Sequence, residues 1–190
     1  ETRSVGVFDA ITGLAWAPDG RRLAVAGTRG GVSDLAIYDL GEGTARMLTT
    51  DGFAELQPSF SPDGRTLAFI TDRGPETSPD MLRFGPMRIG LMDVITGDIE
   101  TLGVSAESKH VSPQFSGDGR SLYFIADPDG FSDVYRYDLE TGAVARITAS
   151  ATGVVGFTDL SPALSVSRDT GEIAFSVFHD GGYQIRAMEA

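Results

Sequence analysis

The stretch FSPDGRTLAF, residues 60–69, sets one apolar run against another across Ser-Pro-Asp-Gly. Pro fixes φ near −65° at the second position of a tight turn. Asp accepts hydrogen bonds from the backbone that follows it, and Gly takes the position other residues disfavour. The flanking segments are short and rich in β-branched and aromatic residues, which suits strands. The stretch therefore predicts a β-hairpin.

Nearly the same text occurs as WAPDGRRLAV from Trp16 and FSGDGRSLYF from Phe115. The turn glycines Gly20, Gly64 and Gly119 are spaced by 44 and 55 residues. A looser copy, PALSVSRDTGEIAFSV, starts at Pro162 and places Gly171 where Gly119 stands. Its turn reads as about two residues longer than the others. Each unit carries a second signature: AIYDLGEGTARMLT from Ala36, GLMDVITGDIETLG from Gly90 and VYRYDLETGAVARIT from Val134. An Asp (Asp39, Asp93, Asp138) and a turn ending in Gly (Gly43, Gly97, Gly142) separate two further strands. In the fourth copy, YQIRAMEA from Tyr183, Glu189 falls at the position of Asp138.

Each unit is thus a four-stranded antiparallel meander. Apolar spacing stays near two, and no stretch predicts a helix of three turns. Such a sheet cannot bury both faces alone, and repeats of this length pack face to face around an axis as propeller blades. The expected fold is all-β, a β-propeller of about four four-stranded antiparallel blades in one domain over 1–190. The blades fall at about 9–50, 53–103, 108–149 and 158–190. Residues 2–8, TRSVGVF, align with TARMLTT at the end of the first unit. The chain then begins with a fourth strand and ends with a third. This leads us to expect that the N-terminal strand 2–8 completes the last blade and closes the ring. An arc of a larger ring is the other reading.

The repeat resembles that of the TolB-like β-propeller family, which reads roughly P-x-F-S-P-D-G-x-x-L-A-F, then D-I-Y-x-x-D-x-x-T-G. It is matched by PSFSPDGRTLAF, and by PQFSGDGRSLYF with SDVYRYDLETGAVARIT. The departures are GLAWAPDG in the first unit, Gly117 in place of Pro in the third, and the loose fourth turn. The resemblance covers nearly the whole chain. It implies a non-catalytic module that binds other proteins, as a scaffold or accessory subunit of a bacterial envelope complex, exported to the periplasm. It also implies an alternative, the propeller domain of a larger peptidase or outer-membrane protein. A small-ligand or cation binder at the propeller axis is a third reading. The first residue is Glu rather than Met, which reads as a processed product or part of a longer chain.

The formal net charge of −12 repels phosphate backbones and argues against nucleic acid as a partner. Cysteine is absent, which excludes disulfides, thiolate metal sites and a Cys nucleophile. No apolar run is long enough to span a membrane as a helix. We find no catalytic set: there is no G-x-S-x-G or H-E-x-x-H, and His110 and His179 fall in different loops. No cofactor is expected. The weak candidates for Ca²⁺ are Asp127, Asp129 and Asp133 in ADPDGFSD, whose oxygens alternate along the chain. The recurring Asp39, Asp93 and Asp138 read instead as turn caps.

Two loops carry apolar residues that something must cover. The long insertion at 71–88 holds Met81, Leu82, Phe84 and Met87, and the connection at 147–162 holds Val154, Val155 and Phe157. These are the candidate partner-binding residues. Trp16, the only Trp, occupies the place of Phe60 and Phe115 and is expected in the core.

Overall fold

The computed structural model describes residues 6–105, 108–156, 158 and 161–189. The first blade comprises β1 (Ala10–Trp16), β2 (Arg22–Arg29), β3 (Val32–Asp39) and β4 (Thr44–Met47). The second comprises β5 (Glu55–Phe60), β6 (Thr66–Thr71), β7 (Arg88–Asp93) and β8 (Ile99–Thr101). The third comprises β9 (His110–Phe115), β10 (Ser121–Ala126), β11 (Asp133–Asp138) and β12 (Val144–Arg146). The fourth comprises β13 (Leu164–Val166), β14 (Glu172–His179) and β15 (Gly182–Glu189). Every sheet is an antiparallel meander in chain order, four-stranded in the first three blades and three-stranded in the last.

The turns form as their residues dictate. The amide of Gly64 donates to the carbonyl of Ser61 at 2.9 Å, and Gly64 sits at φ +71°, where a side chain would be strained. Asp63 Oδ1 accepts from the Arg65 amide at 3.0 Å and from Ser61 Oγ at 2.6 Å, which holds its carboxyl below the usual range. Asp118 repeats this with Ser116 and Arg120. Asp39, Asp93 and Asp138 each accept from the amides two and three residues on, so they are turn caps.

The fourth turn is not longer than the others. Ser167 N donates to Glu172 O, the same span that joins Ser116 N to Ser121 O. Its glycine comes one residue later, and Gly171 N bonds back to Ser167 O. The loop Ser167-Arg-Asp-Thr-Gly is therefore built like Asp138-Leu-Glu-Thr-Gly, where Gly142 N bonds to Asp138 O. The spacing misled because a third-to-fourth-strand type of turn stands in the first hairpin. Its consequence lies in the third blade: a Cβ on Gly117 would stand 2.0 Å from the Arg168 carbonyl oxygen. Gly117 replaces Pro because the fourth blade's turn rests on it.

Blades pack face to face through three apolar seams. Ala24, Ala26, Leu35 and Ile37 of the first blade cover Phe60, Leu67, Phe69 and Met92 of the second. Ala68, Ile89 and Leu91 meet Phe115, Leu122, Phe124 and Tyr135. Ile125 and Val134 meet Leu164, Ile173, Phe175 and Val177. The first strands β1, β5, β9 and β13 follow one another around the axis, whereas among the described residues no comparable strand packing joins the first blade to the fourth. Burial of this apolar area is the main favourable term for each blade.

Trp16 corrects the expectation from its repeat position: it is 59% exposed, against 1% for Phe60. Phe60 is covered by the blade before it, and among the described residues no blade stands before the first, although Val25, Ala36 and Tyr38 on that same outer face are buried. Of the N-terminal segment, residues 2–5 lie outside the described residues. Residues 6 and 7 form a turn, and the Phe8 ring lies on Gly27 of β2, not beside β15. No described strand pairs with the outer edge of β15.

Candidate interaction surfaces

The insertion between β6 and β7 is a braced loop with an apolar tip. At its base Asp72 Oδ1 accepts from the Ala54 amide at 2.8 Å. Thr77 Oγ1 donates to the Asp72 carbonyl and accepts from the Gly85 amide. Ser78 and Arg83 exchange both backbone hydrogen bonds, closing a small ring around a one-turn 3-10 helix, Pro79–Met81. Arg88 holds Glu76 at 2.7 Å. This frame leaves Met81, Leu82 and Phe84 pointing outward, with Leu82 78% exposed at φ +50°. A left-handed Leu costs on the order of 1 kcal/mol, so the surrounding bonds must impose it. Met87 differs: it packs against the core between the third and fourth blades, and its carbonyl accepts from the His110 amide.

In the connection after β12, Val154 is buried in the last seam, and it bridges to Val177. Val155 is half-buried, its amide donating to Ser176 O while its carbonyl accepts from Ser176 Oγ. Both valines therefore anchor the connection to the fourth blade and are not presented to a partner. Phe157 lies outside the described residues.

The three aspartates of 127–133 do not converge on a cation. Asp133 accepts from Arg146, from Thr148 Oγ1 at 2.6 Å and from the Ser150 amide at 2.9 Å. Asp129 pairs with the same Arg146 at 2.7 Å. Asp127 accepts from the Lys109 amide and Ser108 Oγ. An arginine already occupies the place between Asp129 and Asp133, so these residues do not fit Ca²⁺. Among the described residues no group of three His, Cys, Asp or Glu side chains is placed to hold a metal.

A buried polar cluster that the sequence reading missed lies between the first two blades. Asp34 and Thr49 repeat the Asp133–Thr148 pair, and Thr49 Oγ1 accepts from the Leu35 amide as Thr148 accepts from Val134. But Met47 stands where Arg146 stands, so Asp34 lacks its arginine, and Asp34 Oδ1 has no hydrogen-bond partner. Burial pushes the Asp34 carboxyl up. Next to it, Glu55 is fully buried; burial raises it to about 7 despite hydrogen bonds with Thr49 and Arg73. Arg73 also holds Asp51 at 2.6 Å and lies 4.5 Å over the Phe53 ring.

His110 is buried beside Phe124 and held neutral by desolvation, with Nδ1 near the Met87 carbonyl and Nε2 unpartnered. His179 is exposed at the far end of β14. The two are not brought together with a nucleophile. The axis is lined by Ala15, Ser59, Gln114 and Arg168 around a cavity of about 220 Å³, with Arg168 reaching the Phe60 carbonyl at 3.3 Å. A groove of about 550 Å³ between the second and third blades has Leu91, Met92 and Phe115 among acids.

The fold is that of the TolB β-propellers. The putative TolB of Agrobacterium tumefaciens superposes over 100% of this chain with a TM-score of 0.78 and 22% identity, and the chain covers 65% of it. TolB of Acinetobacter baumannii gives 0.71 and 24%, with 95% of this chain and 41% of that one covered. A puromycin hydrolase gives 0.72 and 17%, with 96% and 27% covered. In sequence, dipeptidyl-peptidase 5 of Porphyromonas gingivalis is 22% identical over 175 residues, which is 87% of this chain. An uncharacterised protein of Agrobacterium fabrum is 28% identical over 137 residues, 72% of the chain. The chain spans only 25% and 43% of the lengths of these two relatives. No family model matches it.

Proposed function

We propose that this chain is a non-catalytic, protein-binding TolB-type propeller module, serving a bacterial envelope complex as scaffold or accessory subunit after export to the periplasm. The observation that carries this reading is the braced loop at 72–87. Its base is fixed by hydrogen bonds, yet it presents Met81, Leu82 and Phe84 to solvent. A preorganised apolar tip loses little freedom on binding, so its burial by a partner is converted efficiently into affinity. No helix among the described residues is long and apolar enough to cross a membrane.

The experiment is a photo-crosslinking residue at Leu82 in the source cells, with Glu140 as an exposed control. The expected result is one discrete adduct with a defined envelope protein, lost when Met81 and Phe84 are changed to Ser. Equal labelling from Leu82 and Glu140 overturns the reading.

A second reading rests on the matches to dipeptidyl-peptidase 5 and puromycin hydrolase: the chain is the propeller part of a peptidase. There Leu82 would crosslink within its own polypeptide, to a hydrolase segment.

A further inference from the structure

The first strands of the second and third blades begin on equivalent residues in different surroundings. Glu55 pairs with Thr71 as His110 pairs with Ala126. Asp72 accepts from the Ala54 amide as Asp127 accepts from the Lys109 amide, so the equivalence runs on into the loops after β6 and β10. Both Glu55 and His110 are buried. Glu55 is held by Thr49 and Arg73. Pro128, two residues after Ala126, takes the place of Arg73, two residues after Thr71. Leu102 donates to Ile89 O as Leu48 donates to Leu35 O, so Gly103 takes the place of Thr49. Glycine has no side chain and proline no donor, so neither can serve His110 as Thr49 and Arg73 serve Glu55.

Where a hydroxyl and a guanidinium fill the first seam, a cavity of about 260 Å³ opens in the second. Its walls are Val104, Ala126, Val144 and the rings of His110, Phe124 and Tyr135. The Phe124 ring lies 5.6 Å from that of His110 and stacks on Tyr135 at 6.0 Å. His110 Nδ1 faces the Met87 carbonyl, which can only accept, so the proton sits on Nδ1. Nε2, at the opposite edge of the ring, presents a lone pair and has no hydrogen-bond partner among the described residues. The Ser108 hydroxyl on the same wall is committed to Asp127 and the Lys109 carbonyl. A buried acceptor without a donor is costly, and a ligand that supplies the donor recovers that cost. The apolar walls penalise a charged ligand. An aromatic ring matches the three rings around it, and a cavity of about 150 Å³ is enough for benzene. We propose that the cavity between the second and third blades binds a small neutral phenol, its hydroxyl donating to His110 Nε2 and its ring packing on Phe124 and Tyr135. The site extends to Val144 on the outermost strand β12, away from the axis.

The test is a titration of isotope-labelled protein with para-cresol and, in parallel, with toluene, which has the same ring and methyl group without the donor. By nitrogen NMR the His110 Nε2 resonance should move with para-cresol, while that of exposed His179 stays. Para-cresol should bind about ten-fold more tightly than toluene. Gly103→Thr would restore the hydroxyl that Thr49 supplies in the first seam. A Cβ at Gly103 meets nothing within 4 Å, and its φ is outside the left-handed region, so the backbone accepts the change. That variant should bind para-cresol about ten-fold more weakly than the parent, without losing stability to denaturant. His110→Leu should bind the two probes alike. An unmoved His110 resonance or equal affinities in the parent overturns the proposal. So does undiminished binding by folded Gly103→Thr, or a preference for para-cresol that survives in His110→Leu.

Discussion

Phe60 and Trp16 occupy the same place in successive blades and live in opposite environments. Both start the Pro-Asp-Gly hairpin, and both pair with a Leu across it. One is inside a seam and the other faces water. The difference teaches that a blade's core is not its own. Each sheet is completed by the sheet before and the sheet after, so burial is a property of position in the series.

The largest effect should come from testing that contrast directly. Phe60→Ala should cost about 3–5 kcal/mol in denaturant unfolding, since it opens a cavity in a closed seam. Trp16→Ala in the same isolated chain should cost less than about 1 kcal/mol. Equal costs would break the comparison. The seam between the first two blades also holds the Glu55 carboxyl, raised from 4.5 to about 7. A raised carboxyl stabilises the fold fully below the unfolded value and loses that contribution as pH climbs toward 7. Glu55→Gln should therefore gain about 2 kcal/mol over the parent at pH 8 and little at pH 4. A pH-independent difference between the two proteins would contradict this. At the other seam, Gly117→Ala should cost about 1–3 kcal/mol, because Cβ meets the Arg168 carbonyl. Hydrogen exchange should show the fourth blade loosened and the first unaffected. The smallest effect concerns the paired clusters. Met47→Arg should give Asp34 the partner that Arg146 gives Asp133, raising stability by about 1 kcal/mol at pH 7. The gain should vanish once Asp34 is protonated; a neutral substitution at pH 7 would show that Thr49 already suffices.

The turns were legible because their bonds close within six residues. Asp63 meets Arg65, and Asp138 meets Thr141, so local sequence carries the whole geometry. The fourth hairpin was misread in length because a different local motif filled the same span. The candidate sites fared less evenly. Met81, Leu82 and Phe84 are at the surface as their long loop suggested, while Met87 and Val154 are turned into seams by residues far along the chain.

By itself, then, the sequence determined the hairpins, the four meanders and the repeat that makes them blades. Those follow from turn chemistry and a period of two, both local. Tertiary structure decided which equivalent residues are core, that Asp133 is paired with an arginine thirteen residues away, and that Asp34 is left without one. The physical reason is that burial depends on what another blade brings to the same spot, so equivalent residues meet different neighbours at the ends and in the middle of the series, while charge pairing depends on which side chain the neighbouring strand of the same blade carries.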